Sequence, residues 1–145
     1  MEKEKVWDIY NEEYAANYND TFLLEPYSKV SADQEVKIIK ELINTDTKWL
    51  DIACGTGYFL SQFPGVQRAG YDLSPAMLNE AQKVNPDALF FKQGDFRIDV
   101  PEWHNQWTLT SCMWGAYAYV DSLAEVETLV ANMIKWTAPG GTVLI

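Results

Sequence analysis

The segment Trp49-Leu-Asp-Ile-Ala-Cys-Gly-Thr-Gly-Tyr-Phe59 constrains this chain more than any other. A short apolar run ends in an acid, passes through small residues and returns to bulky side chains, the pattern of a buried strand that turns tightly into a helix. Small residues there let the backbone approach a ligand closely, and the helix start beyond them presents free N–H groups. Asp51, at the strand end, can hold an amine or a hydroxyl. A nicotinamide-binding turn would need a third glycine three residues after Gly57, where this chain has Leu60, and it has no need of an acid before the glycines.

Around this segment helical and strand patterns alternate without internal repeat or low-complexity linker, which predicts a parallel sheet covered by helices. Val6, Ile9, Tyr10, Tyr14 and Tyr18 recur at helical spacing, and the pattern predicts one amphipathic helix over Val6 to Asn19. Ser31 and Gln34 form a capping box, so a second helix is expected from there through Val36, Ile39 and Ile43. Strands are predicted over 48–53, 66–71, 88–92 and 107–113. Helices are predicted from Tyr58 and, with Ser74 as N-cap and Pro75 at the first position, to about Val84. Ser122 and Glu125 cap the clearest helix, with Leu123, Val126, Leu129, Val130, Met133 and Ile134 as its apolar stripe. Pro139-Gly140-Gly141 is expected as a turn, and Thr142 as the start of a fifth strand. The sequence stops within that strand, so the domain reads as incomplete there, with an open sheet edge and self-association as the expected consequence.

The chain has 145 residues, 48% hydrophobic and 22% charged, which fits one globular domain. Eleven Lys and Arg against 21 Asp and Glu give a net charge of −10. Such a field repels phosphate backbones and anionic lipid, so neither nucleic acid nor a membrane surface is an expected partner. No apolar run approaches the roughly 20 residues of a membrane span. The start, Met1 to Lys5, lacks the apolar core of a secretory signal, and a cytoplasmic protein is expected. Cys54 and Cys112 make neither a disulfide scaffold nor a metal knuckle. His104, the one histidine, is expected in a loop away from the chemistry, and no metal is expected. Six Trp and eight Tyr point to an aromatic-lined pocket, beside the plainer reading of core and surface rings.

In this setting Asp51-Ile-Ala-Cys-Gly-Thr-Gly57 resembles the first motif of class I S-adenosylmethionine-dependent methyltransferases. The departure is Ala53, where many members have Gly; a small residue with negative φ would preserve the turn. Gly70-Tyr-Asp72 resembles the family's second acidic strand end, Gly94-Asp-Phe96 the third, and Pro139-Gly140-Gly141 the turn before its fifth strand. Four motifs in order over residues 49–145 make the match specific. The resemblance implies a Rossmann-like α/β fold, a doubly wound, mainly parallel sheet in a three-layer α/β/α sandwich with strand order 3-2-1-4-5. Residues 1–45 would form an N-terminal lid and helices, and residues 46–145 the core of a single domain binding S-adenosyl-L-methionine. The implied activity is methyl transfer to nitrogen or oxygen of a small molecule, such as a sugar or another polar metabolite. A nicotinamide-dependent oxidoreductase, a non-catalytic binding module and transfer of the cofactor's aminopropyl or carboxyl group are the rivals.

The resemblance also implies roles. Asp72 would accept the ribose hydroxyls as a bidentate pair, or serve only as a helix-cap carboxylate. Asp95 would accept from the adenine amino group, with Leu73 and Phe96 beside the ring, or be a solvated turn acid. Asp51 would attract the methionine ammonium or merely order the turn. Ala53, Cys54, Gly55, Gly57, Met77, Gly94, Cys112 and Met113 complete the cofactor-binding set, and neither thiol is expected to act as a nucleophile. Tyr14 and Tyr18 look like the tyrosines of the family's lid helix, touching substrate and cofactor respectively, or mark the apolar boundary of that helix. Trp114, Tyr117 and Tyr119 would shape the acceptor pocket, with core packing as the alternative. Cys112 to Tyr119 is similar to a stretch in N-methyltransferases of nucleotide-linked amino sugars. In those relatives a histidine near its end approaches the amine; Tyr119 stands at the matching place.

Overall fold

The structure, a computed structural model, describes residues 2–145; the N-terminal reading above includes Met1, which lies outside them. Eleven elements build it: α1 (Lys3–Ile9), α2 (Glu12–Tyr18), α3 (Pro26–Leu42), β1 (Lys48–Ile52), α4 (Tyr58–Ser61), β2 (Gln67–Asp72), α5 (Pro75–Val84), β3 (Phe90–Gln93), β4 (Trp107–Cys112), α6 (Leu123–Trp136) and β5 (Thr137–Leu144). The strands form one parallel sheet in the order β3-β2-β1-β4-β5, as the resemblance implies. In this register Asp51 lies between Gly70 and Ser111, so the carboxyl ends of β1, β2 and β4 reach one edge together.

The two-residue period of β1 divides the core. Trp49 packs with Ala32 and Ile39 of α3, Phe59 and Leu60 of α4, Leu78 of α5 and Leu109. Leu50 and Ile52 point the other way, into Leu129, Met133 and Trp136 of α6, with Tyr71, Trp103 and Trp107. Helices on both faces explain why β1 does not alternate: Trp49, Leu50 and Ile52 are all buried among apolar partners, and only Lys48 at its start is half-buried. Ile39, Trp49, Leu50, Ile52 and Trp136 are fully buried, and each aliphatic one contributes about 1.5–3 kcal/mol relative to exposure. Among the described residues, no helix is long and apolar enough to cross a membrane.

Four local expectations change. The N-terminal stripe is two helices, because Tyr10 leaves the helix (φ −92°, ψ 53°) and the Asn11 side chain accepts from Tyr14 N, starting a new one. A π-helical turn, Asn19–Leu23, then continues α2. The next helix begins before Ser31: Glu25 caps the N–H groups of Tyr27 and Ser28, and Pro26 occupies the first turn. Ser122 caps α6 as expected by accepting from Glu125 N, but Glu125 Oε2 returns to Asp121 N at 2.7 Å instead of completing the box. Pro139-Gly140-Gly141 is no turn before β5. Thr137 already pairs with Trp107, and the pairing resumes at Leu109 with Thr142, so the Pro-Gly-Gly run is an irregularity inside the strand.

Candidate donor and acceptor site

At the carboxyl edge, β1 ends in a turn of three left-handed residues, Ala53 (φ 53°), Gly55 (φ 54°) and Gly57 (φ 69°). The negative φ expected for Ala53 is overturned. The chain needs the left-handed conformation to swing from β1 into α4, and alanine adopts it at a steric cost that glycine avoids. The two glycines divide the work. A Cβ on Gly55 would meet nothing within 4 Å, whereas one on Gly57 would lie 2.7 Å from Asn85 Nδ2 and 2.9 Å from Ala81 Cβ. Gly55 therefore opens the turn to a ligand. Gly57 serves packing against α5, with its carbonyl accepting from Asn85 Nδ2 at 3.0 Å.

Asp72 faces this turn. Its Oδ2 accepts from Gly55 N and its Oδ1 from Ser74 N, both at 2.8 Å. Burial raises its pKa, and the surrounding backbone N–H groups oppose that shift. Because those donors fix the carboxylate while each oxygen retains acceptor capacity, it can receive two neighbouring hydroxyls. Beside it a cleft encloses about 890 Å³ of empty space continuous with solvent, lined by Ala53, Gly55, Asp72, Leu73, Met77, Gly94, Phe96, Met113, Trp114, Tyr18 and Tyr119. These are eleven residues that the sequence singled out. Leu73, Met77 and Phe96 supply an apolar slot for a flat ring.

A smaller cavity continues past Ala53 and Gly55 to Asp51, Cys54, Thr56, Tyr58 and Trp114. Asp51 is 1% exposed. Its Oδ1 accepts from Ser111 Oγ at 2.6 Å, and Ser111 Oγ accepts from Trp49 Nε1 at 2.7 Å. Burial drives the Asp51 carboxyl up to about 7, with the Ser111 bond opposing and nearby Asp72 reinforcing the rise. A cation entering here would therefore meet a carboxylate that gains from being neutralised. The acids, the open Gly55 and the apolar slot together fit a donor bearing a ribose, an aromatic base and an ammonium group.

Other residues fall elsewhere. The Asp95 carboxylate is captured by Arg97, with Nη2 2.7 Å from Oδ2 and the Arg97 backbone N 2.9 Å from Oδ1. The cleft wall consequently runs through Gly94, Phe96 and Arg97 and passes over Asp95. Arg97 also pairs with Glu125 at 2.8 Å, which ties this loop to α6. Cys54 and Cys112 are free and buried. Burial lifts the Cys54 thiol well above its ordinary range and Cys112 up to about 12, so neither is a nucleophile at neutral pH. Cys112 and Tyr117 line a second cavity instead of the cleft, with Glu35, Ile38, Met113, Trp114, Gly115, Leu144 and Ile145. Tyr14 stands off the cleft, edge-on to Tyr10 and tilted against Tyr18 and Phe22. His104 sits beyond β3 and contacts Asp99 at 2.9 Å, away from both cavities.

Sequence reasoning missed Val6, Tyr10, Tyr71, Arg97, Ala116 and Val120 as cleft residues. Tyr10 could have been found, because it lies on the same helical stripe as Tyr14 and Tyr18. Its ring is edge-on to Tyr119, with centroids 5.9 Å apart. Burial and the Tyr119 hydrogen bond raise its pKa far above the usual phenol value. Its carbonyl accepts from Ser74 Oγ at 2.8 Å, and Trp7 Nε1 donates to Leu73 O at 2.9 Å. The α1 segment is thus fastened to the turn that carries Asp72.

Comparison with known proteins agrees with this geometry. A dTDP-3-amino-3,4,6-trideoxy-α-D-glucopyranose N,N-dimethyltransferase from Streptomyces venezuelae is 30% identical over 119 residues, covering 77% of this chain and 48% of the relative. A dTDP-4-amino-2,3,4,6-tetradeoxy-D-glucose N,N-dimethyltransferase from Saccharopolyspora spinosa is 28% identical over 141 residues, covering 95% and 52%. The chain therefore spans about half the length of these two relatives. A SAM-bound amino pentose methyltransferase from Micromonospora echinaspora superposes with a TM-score of 0.63 at 29% identity, over 79% of this chain and 48% of that one. Residues 50–141 match the methyltransferase-domain family, and the chain belongs to it.

Proposed function

We propose that this chain binds S-adenosyl-L-methionine and transfers its methyl group to nitrogen or oxygen of a small polar molecule, with an amino sugar as the leading acceptor class. The observation that carries the reading is the Asp72 carboxylate, held by two backbone N–H groups against the open side of Gly55 in a cleft with an apolar slot. The amino-sugar methyltransferases among the relatives supply the acceptor class.

When bound, the donor supplies a methyl group already activated on a sulfonium. The protein's task is then alignment, exclusion of water and, for some acceptors, a proton path. Asp72 orients the ribose and Asp51 neutralises the ammonium. Leu73, Met77 and Phe96 cover the base, with Asp95 acting beyond them through Arg97. Trp114, Tyr10 and Tyr119 wall the side on which an acceptor approaches. Tyr10 keeps its proton at neutral pH and commits it to the hydrogen bond with Tyr119, so what it offers an acceptor is an uncharged ring face and an oxygen that can accept. Tyr14 and Tyr18 support that wall from α2, and Tyr117 lies toward the second cavity.

Residues 1–145 act in this reading as one donor-binding domain, with residues 1–45 closing over the core of 46–145. Two free buried thiols support a reducing, cytoplasmic setting, and the net charge of −10 disfavours nucleic acid and anionic membrane as partners. The test is incubation with S-adenosyl-L-methionine and the dTDP-linked 3-amino sugar named for the Streptomyces venezuelae relative, followed by product mass. A gain of one or two methyl groups is expected. Bound donor without product, across that sugar and a broad amine and hydroxyl panel, would leave a binding module and refute transfer.

A further inference from the structure

Among the described residues, Met113 and Trp114 alone line each of three cavities at the sheet edge: the donor cleft, the Asp51 cavity and the second cavity beyond β4 and β5. Trp114 is therefore a wall shared by spaces that must stay distinct if a donor on the β1–β2 side is to meet an acceptor from elsewhere. Its backbone is in the left-handed region (φ 60°), and Gly115 follows in the same conformation (φ 68°). A bulky residue holds that conformation only where its surroundings over-determine it.

The contact that does so comes from α3. Trp114 Nε1 donates to Glu35 Oε2 at 2.5 Å. Among the described residues this is the only side-chain hydrogen bond from α3 to the strand-end loops. Glu35 is carried by a 17-residue helix anchored by the fully buried Ala32 and Ile39, so the carboxylate is presented from a rigid platform. It lines the second cavity and does not line the donor cleft.

We propose that Glu35 is a positioning residue: its carboxylate pins the Trp114 indole as the partition between the donor cleft and the second cavity, and through that partition it sets donor binding. The proposal rests on the donor reading given above. Glu35 touches neither ligand and acts entirely through Trp114. An alanine at position 35 frees the indole, and the strained loop relaxes into the cleft. A glutamine retains an oxygen that accepts from Nε1, so it holds the wall without the charge.

The experiment compares Glu35→Ala and Glu35→Gln with the parent protein by two readouts. The first is the Trp114 indole N–H signal in a ¹⁵N-correlated spectrum, assigned by its loss in Trp114→Phe. The second is calorimetric titration with S-adenosylhomocysteine. In Glu35→Ala the indole signal should move toward that of a solvent-exposed indole, and affinity should fall by roughly tenfold, the size of a lost charge-assisted hydrogen bond. Glu35→Gln should restore the affinity to within about threefold of the parent, since a neutral hydrogen bond replaces the charged one. Thermal unfolding of all three verifies that the comparison is between folded proteins. An indole signal indifferent to Glu35→Ala overturns the proposal, as does a displaced indole with unchanged affinity. If the parent itself does not bind S-adenosylhomocysteine, the donor reading fails, and the pinning of Trp114 is still decided by the indole signal.

Discussion

Asp51 sets stability against ligand binding, and the conflict can be measured. Its carboxyl is raised from 3.8 to about 7 by burial. Between pH 4 and 7 the folded protein therefore keeps a proton that the unfolded chain has released, and stability falls as pH rises through that window. Well below the folded pKa each pH unit costs about 1.36 kcal/mol, so moving from pH 5 to pH 7 removes about 2 kcal/mol, and the loss levels off near ~3 kcal/mol by pH 8. Asp51→Asn has no charge to bury, while its side-chain oxygen still accepts from Ser111, now 2.6 Å away. In urea titrations the variant should gain on the parent by about 3 kcal/mol more at pH 8 than at pH 5. In the same variant, affinity for S-adenosylhomocysteine at pH 8 should drop by about 1.5–3 kcal/mol, or 10- to 150-fold, because the ammonium loses its counter-charge. A stability difference equal at pH 5 and pH 8 would refute the argument from burial. A stabilised variant with full affinity would place the ammonium elsewhere.

Asp72→Ala should weaken S-adenosylhomocysteine binding by about 1.5–3 kcal/mol in the same calorimetric assay; full affinity would remove Asp72 from the donor site. Gly55→Ala and Gly57→Ala each put a side chain in the left-handed region at a cost of about 1–2 kcal/mol, but they should differ in kind. Gly57→Ala also collides with Ala81 and Asn85 and should unfold at markedly lower denaturant, whereas Gly55→Ala should pay the backbone cost and lose donor affinity besides. Equal effects on binding would contradict this division. Trp114→Ala and Tyr119→Phe should each lower methyl transfer to an accepted amine, measured as S-adenosylhomocysteine release. Unchanged turnover in both would take these residues out of the acceptor wall.

Where one interaction dominated, the sequence was readable. The parallel sheet followed from the alternation of helix and strand patterns, its order from the family resemblance, and Ser74-Pro75 placed the start of α5 because cap and proline act locally. That one cleft gathers Asp72, Gly55 and Leu73 was legible for the same reason, since they sit in short segments whose geometry the turn determines. Competition between equivalent signals was harder to read. Glu25-Pro26 outranked the Ser31 capping box as the start of α3, and Asn11 broke a continuous stripe whose spacing alone favoured a single helix. The left-handed Ala53 was hidden because alanine by itself disfavours positive φ, and the path from β1 into α4 overrides that local preference. The pairing of Asp95 with Arg97, two residues away, was not announced by the strand-end motif, which gives no signal for a neighbouring cation. Glu35 could not be found at all, because it lies 79 residues from Trp114 in the chain and carries no motif.

The central claim is that the acids at the ends of β1 and β2 and the left-handed turn between them form a donor site for S-adenosyl-L-methionine. Calorimetric titration of the folded protein with S-adenosylhomocysteine, run beside NAD and with circular dichroism verifying structure, tests it most directly. Saturable binding of S-adenosylhomocysteine with no heat from NAD is the predicted result. A folded protein that binds NAD, or that binds neither ligand, would contradict the claim.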